Sequence, residues 1–337
     1  MRTFRRGFTV GVLLLGAVIT AWAAGTPEGG STSAKTGNVI GISKFVAHPA
    51  LDDIERGIMD ELAELGHTDL EFDLQNANAD ISTASSIATK FRNDGVRLAI
   101  GIATPTAQAL VGAIEDIPVV FAAVTDPVAA GLISSTESGE GNVTGSSDMT
   151  PIEAQFDLMT TLLDVQTVGH VYAGGESNAV SLKDMAKGAS EKRGLAFVEA
   201  TVVNSSEVRS ATQSIIDRVD VIYVSNDNTV VSALSALIDV ATAAGVPIIS
   251  ADTTSAMDGG VLAALGFNYY KFGRATGRLV STILNGADPA DVPTLFLTDP
   301  SDLDLLINLD VAGDLGVTVP DSVLNDASIV IENGAVR

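Results

Sequence analysis

Cysteine is absent from the 337-residue chain. That excludes disulfides, thiolate zinc sites, cysteine nucleophiles and lipid attachment at Cys. Histidine is nearly as scarce. His48, His67 and His170 are all there is, and they lie too far apart in sequence to suggest a histidine-based metal site. Lys and Arg total 19 against 42 Asp and Glu, a formal charge of −23. A surface so acidic repels nucleic acid and anionic lipid alike, so no nucleic-acid partner is expected. Aromatic residues are only 5% of the chain, with a single tryptophan at Trp22. What is plentiful is aliphatic material. With hydrophobic residues at 46%, there is enough to build a sizeable core, and wholesale disorder is excluded. At ~150 residues per domain, the length suggests about two domains.

The first 24 residues, MRTFRRGFTVGVLLLGAVITAWAA, open on Arg2, Arg5 and Arg6 and continue with an apolar run from Phe8 to Ile19. Ala21-Trp22-Ala23 has the small-x-small form of a cleavage site. This reads as a secretory signal peptide cut after residue 23 or 24. As a membrane anchor the run falls short of the ~20 apolar residues a span needs. Residues 25–37, GTPEGGSTSAKTG, read as a flexible leader. The expected product is exported to the periplasm, more acidic than −23 once three arginines are removed, and free of tryptophan.

Beyond the leader the chain alternates. Strand-like runs fall at 38–43, 70–75, 98–103, 118–124, 168–173, 196–203, 221–224, 247–251 and 261–266. Helical spacing falls between them, at 50–66, 82–93, 105–115, 151–163, 178–193, 207–217 and 229–244, with a last helix at 272–285. Such alternation with short Val/Ile runs predicts an α/β fold of parallel sheets covered on both faces. A closed barrel is the competing architecture. An internal echo disfavours it. RLAIGIATPTAQALVGAIEDIPVVFAAVTDP at 97–127 and DVIYVSNDNTVVSALSALIDVATAAGVPIISADTT at 220–254 both run strand, polar turn, Ala-rich helix, Pro-started strand and Asp. One copy in each half predicts two Rossmann-like lobes with a cleft between them.

In open α/β sheets ligands sit at the carboxyl ends of strands, beside helix N-termini. Three polar turns occupy such ends: Ala103-Thr104-Pro105-Thr106, Gly174-Gly175-Glu176-Ser177-Asn178, and Asn226-Asp227-Asn228. Each is also a good helix start in its own right. Together they supply what a small zwitterion needs. Thr104, Thr106 and Ser177 can donate hydrogen bonds to a carboxylate, and Asp126, Asp227 and Asp252 are candidates to face an ammonium. Phe45 and Val46 are placed either to line a side-chain pocket or to pack on the core.

The stretches VIGISKFVAHPALDDIERGIMDELAELG, FDLQNANAD, GIATPTAQAL, IPVVFAAVTDPVAAGL, GNVTGSSDMTPIEAQ, GESNAV, ATVVNSSEV, SNDNTVVSAL and GFNYYKFGR carry a resemblance in the same order. They resemble the substrate-binding proteins of ABC transporters of the tryptophan/tyrosine-uptake type, over about Asn38 to Gly316. The resemblance implies the type I periplasmic-binding-protein fold, two lobes joined by a three-strand hinge. Lobe 1 would hold 38–146 plus about 268–294, and lobe 2 would hold 147–267 plus about 295–325. It implies Phe45, Thr104, Thr106, Asp126, Ser177, Asn178, Asp227 and Asp252 as ligand-binding positions. It also implies a monomer that captures a free aromatic or large apolar amino acid, tryptophan favoured, and delivers it to an ABC permease in the inner membrane. No cofactor, metal or catalysis is implied. A ligand-sensing receptor subunit, or a sugar or nucleoside binder of the same fold, are the alternatives. Two departures stand out. Ser225-Asn226 replaces the family's Pro-Thr among the expected cleft contacts, and Asn268 stands where the family has an acid.

Enzyme signatures are poor. Gly175-Glu176-Ser177-Asn178-Ala179 ends in Ala where a nucleophile elbow needs Gly. No Walker A or dinucleotide fingerprint is present. Asp299, Asp302 and Asp304 fit no EF-hand loop, and the sequon at Asn142 reads more simply as a turn at the lobe crossover. The signal peptide and the lack of a basic N-terminal module exclude a DNA-binding repressor of similar fold.

Overall fold

The computed structural model describes residues 37–257 and 259–337; the expected signal peptide, Trp22 and all of the leader but Gly37 lie outside the described residues. The chain begins with β1 (Val39–Lys44), α1 (Pro49–Glu64), β2 (Glu71–Asn76), α2 (Ile81–Asp94), β3 (Leu98–Ile102), α3 (Thr104–Ala113), β4 (Val119–Ala122) and β5 (Val143–Ser147). It continues with α4 (Ile152–Leu162), β6 (Thr167–Ala173), α5 (Ser177–Lys192), β7 (Ala196–Val202), α6 (Val208–Ile215), β8 (Val221–Val224), α7 (Asn228–Val231), α8 (Leu234–Ala244), β9 (Ile248–Ser250), α9 (Thr253–Ala256) and β10 (Ala263–Phe267). Then come α10 (Tyr269–Leu284), β11 (Leu295–Phe296), β12 (Leu303–Asn308), α11 (Leu309–Leu315), α12 (Asp321–Asp326), β13 (Ile329–Glu332) and β14 (Ala335–Val336).

These strands form two sheets, ordered β11-β5-β4-β3-β1-β2 and β14-β13-β12-β10-β9-β8-β6-β7. The central strands β3, β4, β8 and β9 are buried at every residue. That is why they read as unbroken apolar runs rather than as alternation. The expected two-lobed α/β architecture is therefore present. Each sheet is the centre of one lobe, and the chain passes between lobes three times: from β5 to α4, from β10 to α10, and from β11 to β12.

The third crossing differs from expectation. Leu295–Phe296 still pairs with β5, so the chain stays in lobe 1 past residue 294 and joins the second sheet only at Leu303. From there lobe 2 runs on beyond 325, through β13 and β14. Named strands pair parallel except β10 with β12 and β13 with β14. A parallel partner of β10 would need a long crossover, whereas β12 arrives from the opposite end by way of lobe 1.

Two other elements were misread. The segment around Asn142 is the buried strand β5, not only a turn. Its sequence VTGSS is polar, but its hydroxyls are consumed internally. Thr144 Oγ1 donates to the Val292 carbonyl at 2.8 Å, Ser147 Oγ donates to the Thr125 carbonyl at 2.8 Å, and Ser146 and Thr276 share a bond of 2.8 Å. Gly145 is required there because a Cβ would lie 2.0 Å from the Phe121 carbonyl oxygen. The single helix expected over 229–244 is two. Thr229-Val230-Val231 is β-branched, α7 stops after one turn, and Ser232 Oγ donates back to the Thr229 carbonyl at 2.8 Å before α8 begins.

Lobe 1 is clasped by α1 against α10. Gly57, Gly273 and Gly277 let their backbones approach closely: a Cβ on Gly57 would lie 2.4 Å from the Tyr270 carbonyl oxygen, and one on Gly273 would lie 2.4 Å from that of Ile54. Buried Glu61 accepts from Arg274 Nε at 2.5 Å and Arg278 at 3.0 Å across the same seam. No helix among the described residues is long and apolar enough to cross a membrane.

Candidate functional site

The ends of the strands set the geometry. Ala103 and Ala123, which follow β3 and β4, carry φ of 78° and 53° although neither is glycine. Such conformations cost about 1–3 kcal/mol each and are held by surrounding structure. They turn the chain at the edge of the cleft, and Ala123 lines the cavity found there.

That cavity lies between the lobes. Lobe 1 contributes His48, Leu51, Ala123 and Thr125; lobe 2 contributes Asn178, Asn226, Asp227, Asn228 and Asp252; Asp148 and Tyr269 come from the crossings. The free volume among these side chains is ≈ 20 Å³. Ligand pockets typically measure ~300–1,000 Å³. An amino-acid-sized guest therefore enters only as the lobes part or the lining side chains move. The lobes meet beside the cavity, where Gln108 Nε2 on α3 approaches Ser177 Oγ on α5 at 3.5 Å.

Three of the expected positions line this cavity, and a fourth, Ser177, lies outside its lining where the lobes meet. Asp227 is fully buried and caps α7: Oδ1 accepts from Val230 N at 3.0 Å, and Oδ2 accepts from Ala173 N at 2.6 Å. Burial, and then the Glu176 carboxylate nearby, push its pKa up to about 8. Asp252 caps α9, where Oδ1 accepts from Thr254 N at 2.9 Å and Ser255 N at 3.2 Å; its Oδ2 is buried and has no partner. Asn178 donates to the Asn226 carbonyl at 3.2 Å, while its Oδ1 has no partner.

The other four do not line the cavity. Phe45 packs in the lobe 1 core. Thr106 shares a 2.5 Å bond with Ser43, and buried Thr104 Oγ1 has no partner. Asp126 Oδ1 accepts from Ala129 N at 2.9 Å and so closes its own turn. Local packing or turn chemistry uses Phe45, Thr106 and Asp126, while the Thr104 hydroxyl is left without a partner.

Sequence reading missed several residues. Asp148, just past β5, accepts from Thr125 Oγ1 at 3.2 Å, from Asn226 Nδ2 at 3.4 Å and from the Tyr269 hydroxyl at 3.1 Å. Burial raises its pKa, and those three hydrogen bonds oppose the rise. Glu176 accepts from Thr229 N at 3.0 Å, Thr229 Oγ1 at 2.6 Å and Asn228 Nδ2 at 2.6 Å, tying two lobe 2 turns together. His48 is buried, and neither ring nitrogen has a partner. The signal was present in part: Glu176 lies in a turn already singled out, and Asp148 and Tyr269 each follow a strand directly.

The lining is thus rich in acceptors. No Lys or Arg lines it. Among the described residues, no group of three or more His, Cys, Asp or Glu could hold a metal ion.

A family model described as ABC transporter substrate binding protein matches residues 39–331, which takes in both lobes and all three crossings. The chain belongs to the ABC transporter substrate-binding proteins. The cavity lies between the two lobes that this match spans. A protein named tyrosine-binding protein, from Clostridioides difficile, is 37% identical over 84% of this chain and 82% of its own length. A Streptococcus pneumonia ABC domain solved in complex with L-Trp superposes with a TM-score of 0.84 at 35% identity, over 88% of this chain and all of that one. The ligand-free, open structure of a Clostridium difficile substrate-binding protein gives a TM-score of 0.65 at 34% identity, over 87% of this chain and 99% of that one. Superposition is better on the complex than on the open form, in accord with lobes that touch through Gln108 and Ser177. This substrate-binding protein shares the type I periplasmic-binding-protein fold of these neighbours.

Proposed function

We propose that this protein binds a free aromatic amino acid, tyrosine or tryptophan, between its lobes in the periplasm and hands it to an ABC permease, acting as a monomer without catalysis. The supporting observation is the buried, unpartnered Oδ2 of Asp252 in a cavity that carries two further aspartates and no fixed cation. An unpaired buried carboxylate is costly, and an incoming ammonium relieves that cost. Asp148 lines the same position, and Asp227, whose pKa burial raises to about 8, stands there as a protonated polar group at neutral pH. Asn178 Oδ1, also without a partner, offers a second acceptor. The relatives named for tyrosine and solved with L-Trp favour an aromatic side chain on that ammonium. Capture requires the lobes to part and close again, a shift between two arrangements that the ligand biases by its affinity for one.

Calorimetric titration with the twenty amino acids, and with sugars and nucleosides as controls, tests this reading. Heat with L-Tyr or L-Trp alone supports it. A response confined to a sugar or nucleoside overturns the ligand and leaves the fold standing.

A further inference from the structure

A zwitterionic ligand brings a carboxylate into a cavity that already holds three aspartates. Thr104 and Thr106, which sequence reading assigned to that carboxylate, do not line the cavity. One titratable lining residue can become a cation, and it is His48. It ends the loop from β1 into α1. As the N-cap of α1 it makes no side-chain cap bond. The ring is therefore free of the task that usually occupies a residue there, and both its nitrogens are unpartnered although the residue is only 8% exposed. His48 also lines a second, more open groove between the lobes, with Val231, Ile238 and Ser255. It stands as the wall between that groove and the cavity.

We propose that the His48 imidazole is the subsite for the ligand's carboxylate and takes up a proton when the ligand arrives. This rests on the amino-acid reading above. Burial holds the free imidazole below its ordinary pKa, while Asp252 on α9, the polar Asn228 side chain on α7, Asp52 on α1 and Glu176 before α5 pull the other way. Without ligand the ring is neutral at pH 7. A carboxylate placed against it, with those three acids behind, favours the imidazolium, and the proton comes from solvent. The ligand's ammonium then falls to Asp252, on the opposite lobe, so one zwitterion ties the two lobes together.

The test compares L-tryptophan with tryptamine, which keeps the ring and the ammonium but lacks the carboxylate, and runs L-tyrosine with tyramine in parallel. In the unaltered protein the preference for acid over amine should grow as pH falls from 8 to 6, by up to tenfold per unit. Asp227, with its pKa raised to about 8, titrates in the same window and repels only the acid's carboxylate, so the ring's share is read from the difference between the unaltered protein and His48→Gln. In His48→Gln the preference should shrink at least tenfold and lose most of its pH dependence, only the part due to Asp227 remaining. Calorimetry in two buffers of different ionisation heat should show less proton uptake with L-tryptophan in the variant than in the unaltered protein. A preference that is flat with pH in the unaltered protein, or that survives intact in His48→Gln, overturns the proposal and leaves amino-acid binding standing. If neither amino acid binds the unaltered protein, the functional reading fails and the His48 assignment falls with it.

Discussion

Replacing Asp252 by Asn separates charge from shape. In the native protein Oδ1 caps α9 through Thr254 N and Ser255 N, while Oδ2 is buried and unpartnered at the cavity. Asn caps as well as Asp, so Asp252→Asn should change stability by less than about 1 kcal/mol. With the amide oxygen held by the cap, the amide N–H₂ must face the cavity, where it meets the ammonium as a donor facing a donor. Two unit charges about 3 Å apart attract by roughly 5 kcal/mol at an effective dielectric of about 20. Measured losses for one partner of such a pair run to about 2–5 kcal/mol. Because the variant also adds a repulsive contact, a loss of about 3–5 kcal/mol is expected, or Kd weaker by roughly 150- to 5,000-fold. Titration calorimetry with L-Trp and L-Tyr measures it, with thermal unfolding of the ligand-free protein as the control for folding. Binding within threefold of the native value, in a variant that melts normally, would refute the assignment of the ammonium to Asp252.

Three further outcomes are expected. Asp227 has its pKa raised to about 8 by burial, so the folded protein holds a proton there that the unfolded chain does not; stability should fall as pH rises from 6.5 to 8, by at most about 1.4 kcal/mol per unit from this group. Urea midpoints across that window measure the slope, and Asp227→Asn, though less stable throughout because Asn cannot accept from both Val230 N and Ala173 N, should flatten it. Gly273→Ala drives a methyl against the Ile54 carbonyl and should destabilise by about 1–3 kcal/mol by chemical denaturation, whereas Gly188→Ala, with open space around it, should not. Finally, Trp22 is the only tryptophan; exported protein whose intact mass shows cleavage after residue 23 or 24 should give no tryptophan emission until L-Trp is added.

The fold was legible because buried parallel strands announce themselves. LAIGI, VVFA and VIYV need no partner to be recognised, and the repeat of the strand–turn–helix unit placed them in two lobes. Strand β5 escaped because its side chains are hydroxyls satisfied by residues 125, 276 and 292, contacts that no local pattern reveals. The antiparallel β12 escaped because its partner is fixed by the third crossing. At the site, Asp227, Asp252 and Asn178 were visible as the polar ends of strands. Asp126 had the same appearance and is spent on its own turn. Thr104 and Thr106 look like anion donors in sequence, yet the latter is paired with Ser43, a residue on a neighbouring strand. Whether a strand-end residue faces the cleft depends on the turn that follows, and that is a tertiary property.

Tyr269 begins the helix after the second crossing, and Asp148 follows the first; a hydrogen bond of 3.1 Å joins them at the cavity. Two lining residues of the cavity thus stand on two of the three crossings about which the lobes would turn. Points near an axle travel little when a door swings, whereas its outer edge travels far. A guest seated on Asp148 and Tyr269 would feel almost constant contacts throughout the swing, while those from His48 and Asp252 would be made only at the end. Changes at the axle should then alter how well any guest is held in both positions, and changes at the two leaves should decide which guests shut the door.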